Sequence, residues 1–115
     1  MIYTKGRQMK IFISGPITGT DDYMQRFEAA EAWLKDRGYM VVNPAKILAA
    51  IPFELPWDKC MAITLTLLGE CDCIYILDGW MNSDGASVEY CYARKQGLHI
   101  FHEVSKDKQN EEEEG

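Results

Sequence analysis

At 115 residues, with 47% hydrophobic and 26% charged side chains, the chain has the size and composition of one folded domain and excludes a second. Its formal charge of −6 opposes the counterion displacement on which binding to a nucleic-acid polymer relies, although backbone amides can still hold a small anion. No apolar run nears the ~20 residues of a membrane span and no signal-like core opens the chain, so a cytoplasmic protein with reduced cysteines and no membrane partner is expected.

Residues 1–8 are polar and aperiodic and are expected to form a disordered extension, leaving residues 9–104 as the domain. The run Lys10–Ser14 is β-branched and aromatic, a strand ended by Gly15 and Pro16. Asp21 and Asp22 are expected to cap a helix whose apolar stripe is Tyr23, Phe27, Ala30 and Leu34, with Gly38 as its stop. Residues 39–42 make a second strand, closed by Asn43 and Pro44. Residues 45–56 are mixed, with a short helix around Ile47, and Trp57 then opens a helix carrying Trp57, Met61, Leu65 and Leu68 on one stripe. Residues 72–77 form the most hydrophobic strand, and residues 78–85 a turn-rich loop. Residues 86–96 are expected to be helical, stopped by Gly97, and residues 98–102 make the last strand. Residues 105–115 end in four consecutive glutamates, 111–114, and are expected to stay solvated and disordered. Strands alternating with helices at this spacing imply parallel pairing through right-handed crossovers. The fold class is therefore α/β: a Rossmann-like or flavodoxin-like three-layer domain with a short, mainly parallel sheet of about four strands flanked by helices.

In open parallel sheets the ligand crevice lies beyond the carboxyl ends of the strands. The first loop there, Ser14-Gly15-Pro16-Ile17-Thr18-Gly19, has two glycines and leads to a helix amino terminus. It lacks both the Lys-Ser/Thr ending of a Walker A loop and the three-glycine dinucleotide spacing, and it also reads as an ordinary turn. In the second loop Trp80 either stacks on a base or packs a hydrophobic edge, beside the short polar side chains Asn82, Ser83 and Asp84 and before Gly85. Glu89 shares its helix face with Ala86 and Ala93. It is either an acid answering the helix dipole or a reactive carboxylate in the space small neighbours leave. Asp72, at the amino end of its strand, points away from the ligand side and suits structural bonding. His102 ends the last strand on that side, whereas His99 begins it. Cys71 and Cys73 are too close for a zinc knuckle, and neither a metal nor a cofactor is expected.

Taken together, Ile11-Phe12-Ile13-Ser14-Gly15-Pro16, Asn43-Pro44, Cys71-Asp72 and Leu77-Asp78-Gly79-Trp80 with Ser83, Gly85 and Glu89 resemble the nucleoside 2-deoxyribosyltransferase-like superfamily. The likeness is to its small bacterial and phage domains of unknown function. It implies cleavage or transfer at the N-glycosidic bond of a small-molecule nucleoside or nucleotide, with Glu89 as nucleophile, and self-association into a homo-oligomer. By the same resemblance Phe12, Ser14, Gly15, Pro16, Ile17, Gly19, Trp80, Ser83, Asp84 and Gly85 are the expected substrate-binding residues. Two positions depart from the pattern. Thr64 stands where active relatives carry an aspartate, and Phe12 where they carry a tyrosine whose hydroxyl orients the nucleophile. Asp58 or Asp84 would have to stand in, or the site binds without turnover.

Overall fold

In the computed structural model, which describes residues 3–4 and 7–104, an antiparallel ribbon of β1 (Tyr3–Thr4) and β2 (Arg7–Gln8) precedes the main domain. The order is then β3 (Lys10–Ser14), α1 (Tyr23–Asp36), β4 (Met40–Val42), α2 (Pro44–Ala49), α3 (Trp57–Gly69), β5 (Cys73–Ile76), α4 (Asp84–Gln96) and β6 (His99–His102). A single 3₁₀ turn, Trp80–Asn82, interrupts the loop between β5 and α4.

The main sheet has four strands in the order β4-β3-β5-β6, every pair parallel, with Ile11 opposite Val41 and Cys73, and Ile74 opposite Ile100. Period-2 alternation along β3 sorts its side chains between two cores. Ile11 and Ile13 pack with Phe27, Ala30 and Leu34 of α1, while Phe12 packs with Leu68 of α3 and Ala93 of α4. The result is three layers, with α1 on one face of the sheet and α3 and α4 on the other, a Rossmann-like or flavodoxin-like arrangement. Phe12, Phe27, Leu34, Leu68 and Ile74 are fully buried, each contributing about 1.5–3 kcal/mol relative to exposure.

The chain leaves β3 for one neighbour, β4, and later returns past it to the other, β5. That reversal puts the switch point, where open α/β sheets bind ligands, between the carboxyl ends of β3 and β5. The two ends are tied together: the Leu77 amide donates to the Ser14 carbonyl at 2.8 Å. A Cβ on Gly15 would lie 2.8 Å from Leu77 Cβ, so glycine is required here by the adjoining strand end.

Several ends differ from the sequence expectation. Asp22 occupies the N-cap of α1 but makes no side-chain cap bond. Asn43 and Pro44 do more than close β4. Asn43 Oδ1 accepts from the Lys46 amide at 3.2 Å and Pro44 takes the first helical position, together starting α2. Glu31 in turn holds Asn43, accepting its Nδ2 at 3.0 Å while pairing with Lys35 at 2.6 Å, and these two bonds hold the Glu31 carboxyl below its usual range. Arg7 and Gln8, expected in an extension outside the fold, are bonded to it. Both guanidinium nitrogens of Arg7 donate to Asp72, and Gln8 Nε2 donates to the Gly38 carbonyl at 2.7 Å. Asp72 also accepts the Lys10 amide at 2.9 Å, the structural bonding expected of it. Its bond to Arg7 above all, with help from the Lys10 amide, holds its carboxyl down to about 2 against the opposing effect of burial. The expectation for residues 105–115 lies outside the described residues. Among the described residues no helix is long and apolar enough to cross a membrane.

Candidate functional site

A cavity of about 460 Å³ opens at the switch point. Its walls come from the loop after β3 (Gly15, Ile17, Thr18), the start of α4 (Ser83, Asp84, Gly85) and one side of α3 (Trp57, Met61, Thr64). Leu48 of α2 closes another side, so the Glu31–Asn43 pair that starts α2 also sets this wall. The volume suits a small organic ligand.

Glu89 lines this cavity with 7% of its surface exposed. Ser14 Oγ, at the end of β3, donates to Glu89 Oε1 at 2.6 Å. The Thr64 hydroxyl, on α3, donates to the Met61 carbonyl at 3.3 Å and lies close enough to Glu89 to favour its ionised form. Three separate elements thus converge on one carboxyl group. A hydroxyl has one proton and two lone pairs, so an ionised Glu89 competes with the Met61 carbonyl for the Thr64 proton. When Glu89 is protonated, Thr64 can accept from it and donate to Met61.

Burial pushes the Glu89 carboxyl up to about 7, and the Ser14 and Thr64 hydroxyls offset part of that rise. The helix dipole does little for it. Ser83 caps α4 by accepting the Ala86 amide at 3.2 Å, and with Asp84 as first residue Glu89 is sixth, in the second turn, whereas the dipole acts mainly within the first. Of the two readings of Glu89, the acid answering the helix dipole is corrected accordingly. Near neutral pH Glu89 exists in both protonation states.

Of the residues singled out from sequence, Gly15, Ile17, Ser83, Asp84, Gly85 and Glu89 line the cavity, and Ser14 reaches it through Glu89. Phe12, Pro16, Gly19 and Trp80 are not among the lining residues. Phe12 is a fully buried core residue. Trp80 packs against Tyr90, ring centroids 4.6 Å apart, and against His102 at 6.1 Å, the contacts of its edge-packing reading. The aromatic wall is instead Trp57, expected on the core stripe of its helix but 57% exposed. Its place at the amino end of α3, one turn before Met61, was the available signal. A Cβ on Gly85 would sit 3.4 Å from Met61 Sδ, in contact with α3. Asp58 is exposed and not part of the lining; Asp84 is.

Cys71 and Cys73 are buried thiols pushed up to about 11 by burial, and so poor nucleophiles. Among the described residues no three His, Cys, Asp or Glu side chains gather in a metal-holding group.

The comparison with curated proteins finds no match. A family model described as "Domain of unknown function (DUF4406)" matches residues 9–102, which include the eight strands and helices from β3 to β6 and the whole of the cavity wall. Over those residues the chain belongs to the DUF4406 family.

Proposed function

We propose that the protein cleaves, or transfers across, the N-glycosidic bond of a nucleoside or nucleotide, with Glu89 as the nucleophile. The observation that carries this reading is a buried carboxyl group facing a ligand-sized cavity, held by the Ser14 hydroxyl and titrating near 7. The resemblance of the Ser14-Gly15-Pro16 and Ser83-to-Glu89 segments to the deoxyribosyltransferase-like superfamily supports the choice of bond.

In this reading an ionised Glu89 oxygen attacks the anomeric carbon, and the C–N bond breaks with its electron pair leaving on the base. The base takes a proton from solvent water, leaving hydroxide that later takes up the proton released when water or a second base attacks. Water, or a second base, then attacks the same carbon, releasing Glu89 as a carboxylate with the original configuration restored. Ser14 supplies a hydroxyl to the nucleophile from the strand on which Phe12 has none, and its bond opposes the effect of burial by favouring the ionised form. The protein acts in the cytoplasm as a homo-oligomer, and sedimentation that finds only monomer removes that last element.

A second reading, a nucleotide-binding module without turnover, is favoured by Thr64, whose hydroxyl cannot protonate a leaving base. Incubation with deoxynucleosides and their monophosphates, followed by chromatography for free base, separates the two. Base release lost in Glu89→Gln is the outcome expected, and release unchanged in that variant would falsify the nucleophile assignment. Ligand-induced thermal stabilisation without any release selects the binding module.

A further inference from the structure

We propose that Asp84 is a specificity-determining residue that turns away phosphorylated ligands, so that the site takes a nucleoside or another uncharged or cationic N-glycoside. This rests on the N-glycosidic reading above and narrows it.

Two carboxyl groups, Asp84 and Glu89, line the cavity, and among the described lining residues there is no Lys, Arg or His. The cations on the surrounding helices are placed elsewhere. Lys46 of α2 and Lys59 of α3 are exposed and outside the lining, and Arg26 of α1 donates to the Asp78 carbonyl at 2.7 Å and lies 3.5 Å from Glu103. A phosphate monoester carries between one and two negative charges near neutral pH. It would enter a partly enclosed site of its own sign with no side-chain cation to answer it.

Of the backbone amides that could hold a phosphate, two at the amino terminus of α4 are already used. The Ala86 amide donates to Ser83 Oγ at 3.2 Å and the Ser87 amide to the Ser83 carbonyl at 3.0 Å. Asp84, the first residue of the helix, puts a negative charge of its own where the dipole favours an anion. The rest of the lining suits an uncharged ligand. Trp57 and Met61 offer a flat apolar wall for a planar base, and the Thr18 hydroxyl and the remaining proton of the Ser83 cap hydroxyl can meet a sugar.

The test is isothermal titration of the full chain with 2′-deoxyadenosine, 2′-deoxycytidine, 2′-deoxyguanosine and thymidine and with their 5′-monophosphates, at low and at high salt. At least one nucleoside is expected to bind ten or more times tighter than its monophosphate at low salt, with the gap narrowing as salt screens the repulsion. Asp84→Asn, a conservative change at an exposed helix start, is expected to tighten the monophosphate at least threefold relative to its nucleoside. Monophosphates that bind as well as or better than nucleosides overturn the proposal, as does a preference that Asp84→Asn leaves intact, or no binding by either class. Because titration needs no turnover, the two ideas fail separately. Preferential nucleoside binding without base release removes the enzymatic reading alone, and base release from monophosphates with a monophosphate preference removes this one alone.

Discussion

Replacing Glu89 by Gln should stabilise the protein by an amount that grows as pH rises from about 4.5 to about 7 and is constant above. In the unfolded chain the carboxyl group titrates at its ordinary 4.5, whereas burial moves it to about 7 in the fold. Between those values the folded state binds more protons than the unfolded one, so stability falls as pH rises through the window and levels off beyond it. At 1.36 kcal/mol per unit, the loss between pH 5 and pH 8 amounts to about 2–3 kcal/mol, a sizeable part of a typical 5–15 kcal/mol total. The neutral amide keeps the shape and can still accept from the Ser14 hydroxyl, but it carries no charge to desolvate. Urea unfolding of both proteins at pH 5 and pH 8 gives a double difference in which contributions from other titrating groups cancel. The variant should be close to wild type at pH 5 and more stable by that amount at pH 8. An equal difference at the two pH values would mean that the buried carboxyl is not what titrates.

Ser14→Ala removes the donor that favours the ionised form and should raise the Glu89 pKa further, by about one to two units for the loss of a buried hydrogen bond to a charged group. Carbon NMR of the glutamate carboxyl groups reads this directly, and the pH profile of base release should move upward with it. Gly15→Ala brings a methyl group against the Leu77 side chain and should cost about 1–3 kcal/mol by overpacking, seen as a lowered thermal midpoint. Arg7→Ala releases the guanidinium that most lowers Asp72. A depressed carboxyl contributes stability present above its unfolded value of 3.8 and lost as pH falls towards about 2. The variant should therefore be less stable at pH 5 and should show a flatter loss between pH 4 and pH 2 in acid titrations followed by circular dichroism.

Much of the fold is legible in the sequence because each element carries its own local signal. Lys10–Ser14 is found at its expected limits, and the helix stop at Gly97 is a residue at φ 75°. Asn43-Pro44 carries two signals at once, a strand end and a helix start, and only the first is read from sequence, so α2 emerges as a loosely placed helix around Ile47. Within the site, the face shared by Ala86, Glu89 and Ala93 makes the burial of Glu89 legible, since the stripe lies on one helix and all three residues are buried. Its partners are not legible in the same way. Ser14 is 75 positions away in sequence, and its meeting with Glu89 depends on how α4 lies on β3. The exchange of Trp80 for Trp57 as the aromatic wall has the same origin. Both tryptophans stand at helix starts facing the carboxyl side of the sheet, and the packing of Tyr90 and His102 around one of them decides which is free.

The convergence of β3, α3 and α4 on a single carboxyl group makes Glu89 a built-in gauge of tertiary order. Its proton affinity is elevated only while all three elements exclude water together. A chain that keeps its secondary structure but loosens between α3 and α4 would return this one group to an ordinary acid. Its titration would thus register the loss of the site before circular dichroism registered the loss of the fold.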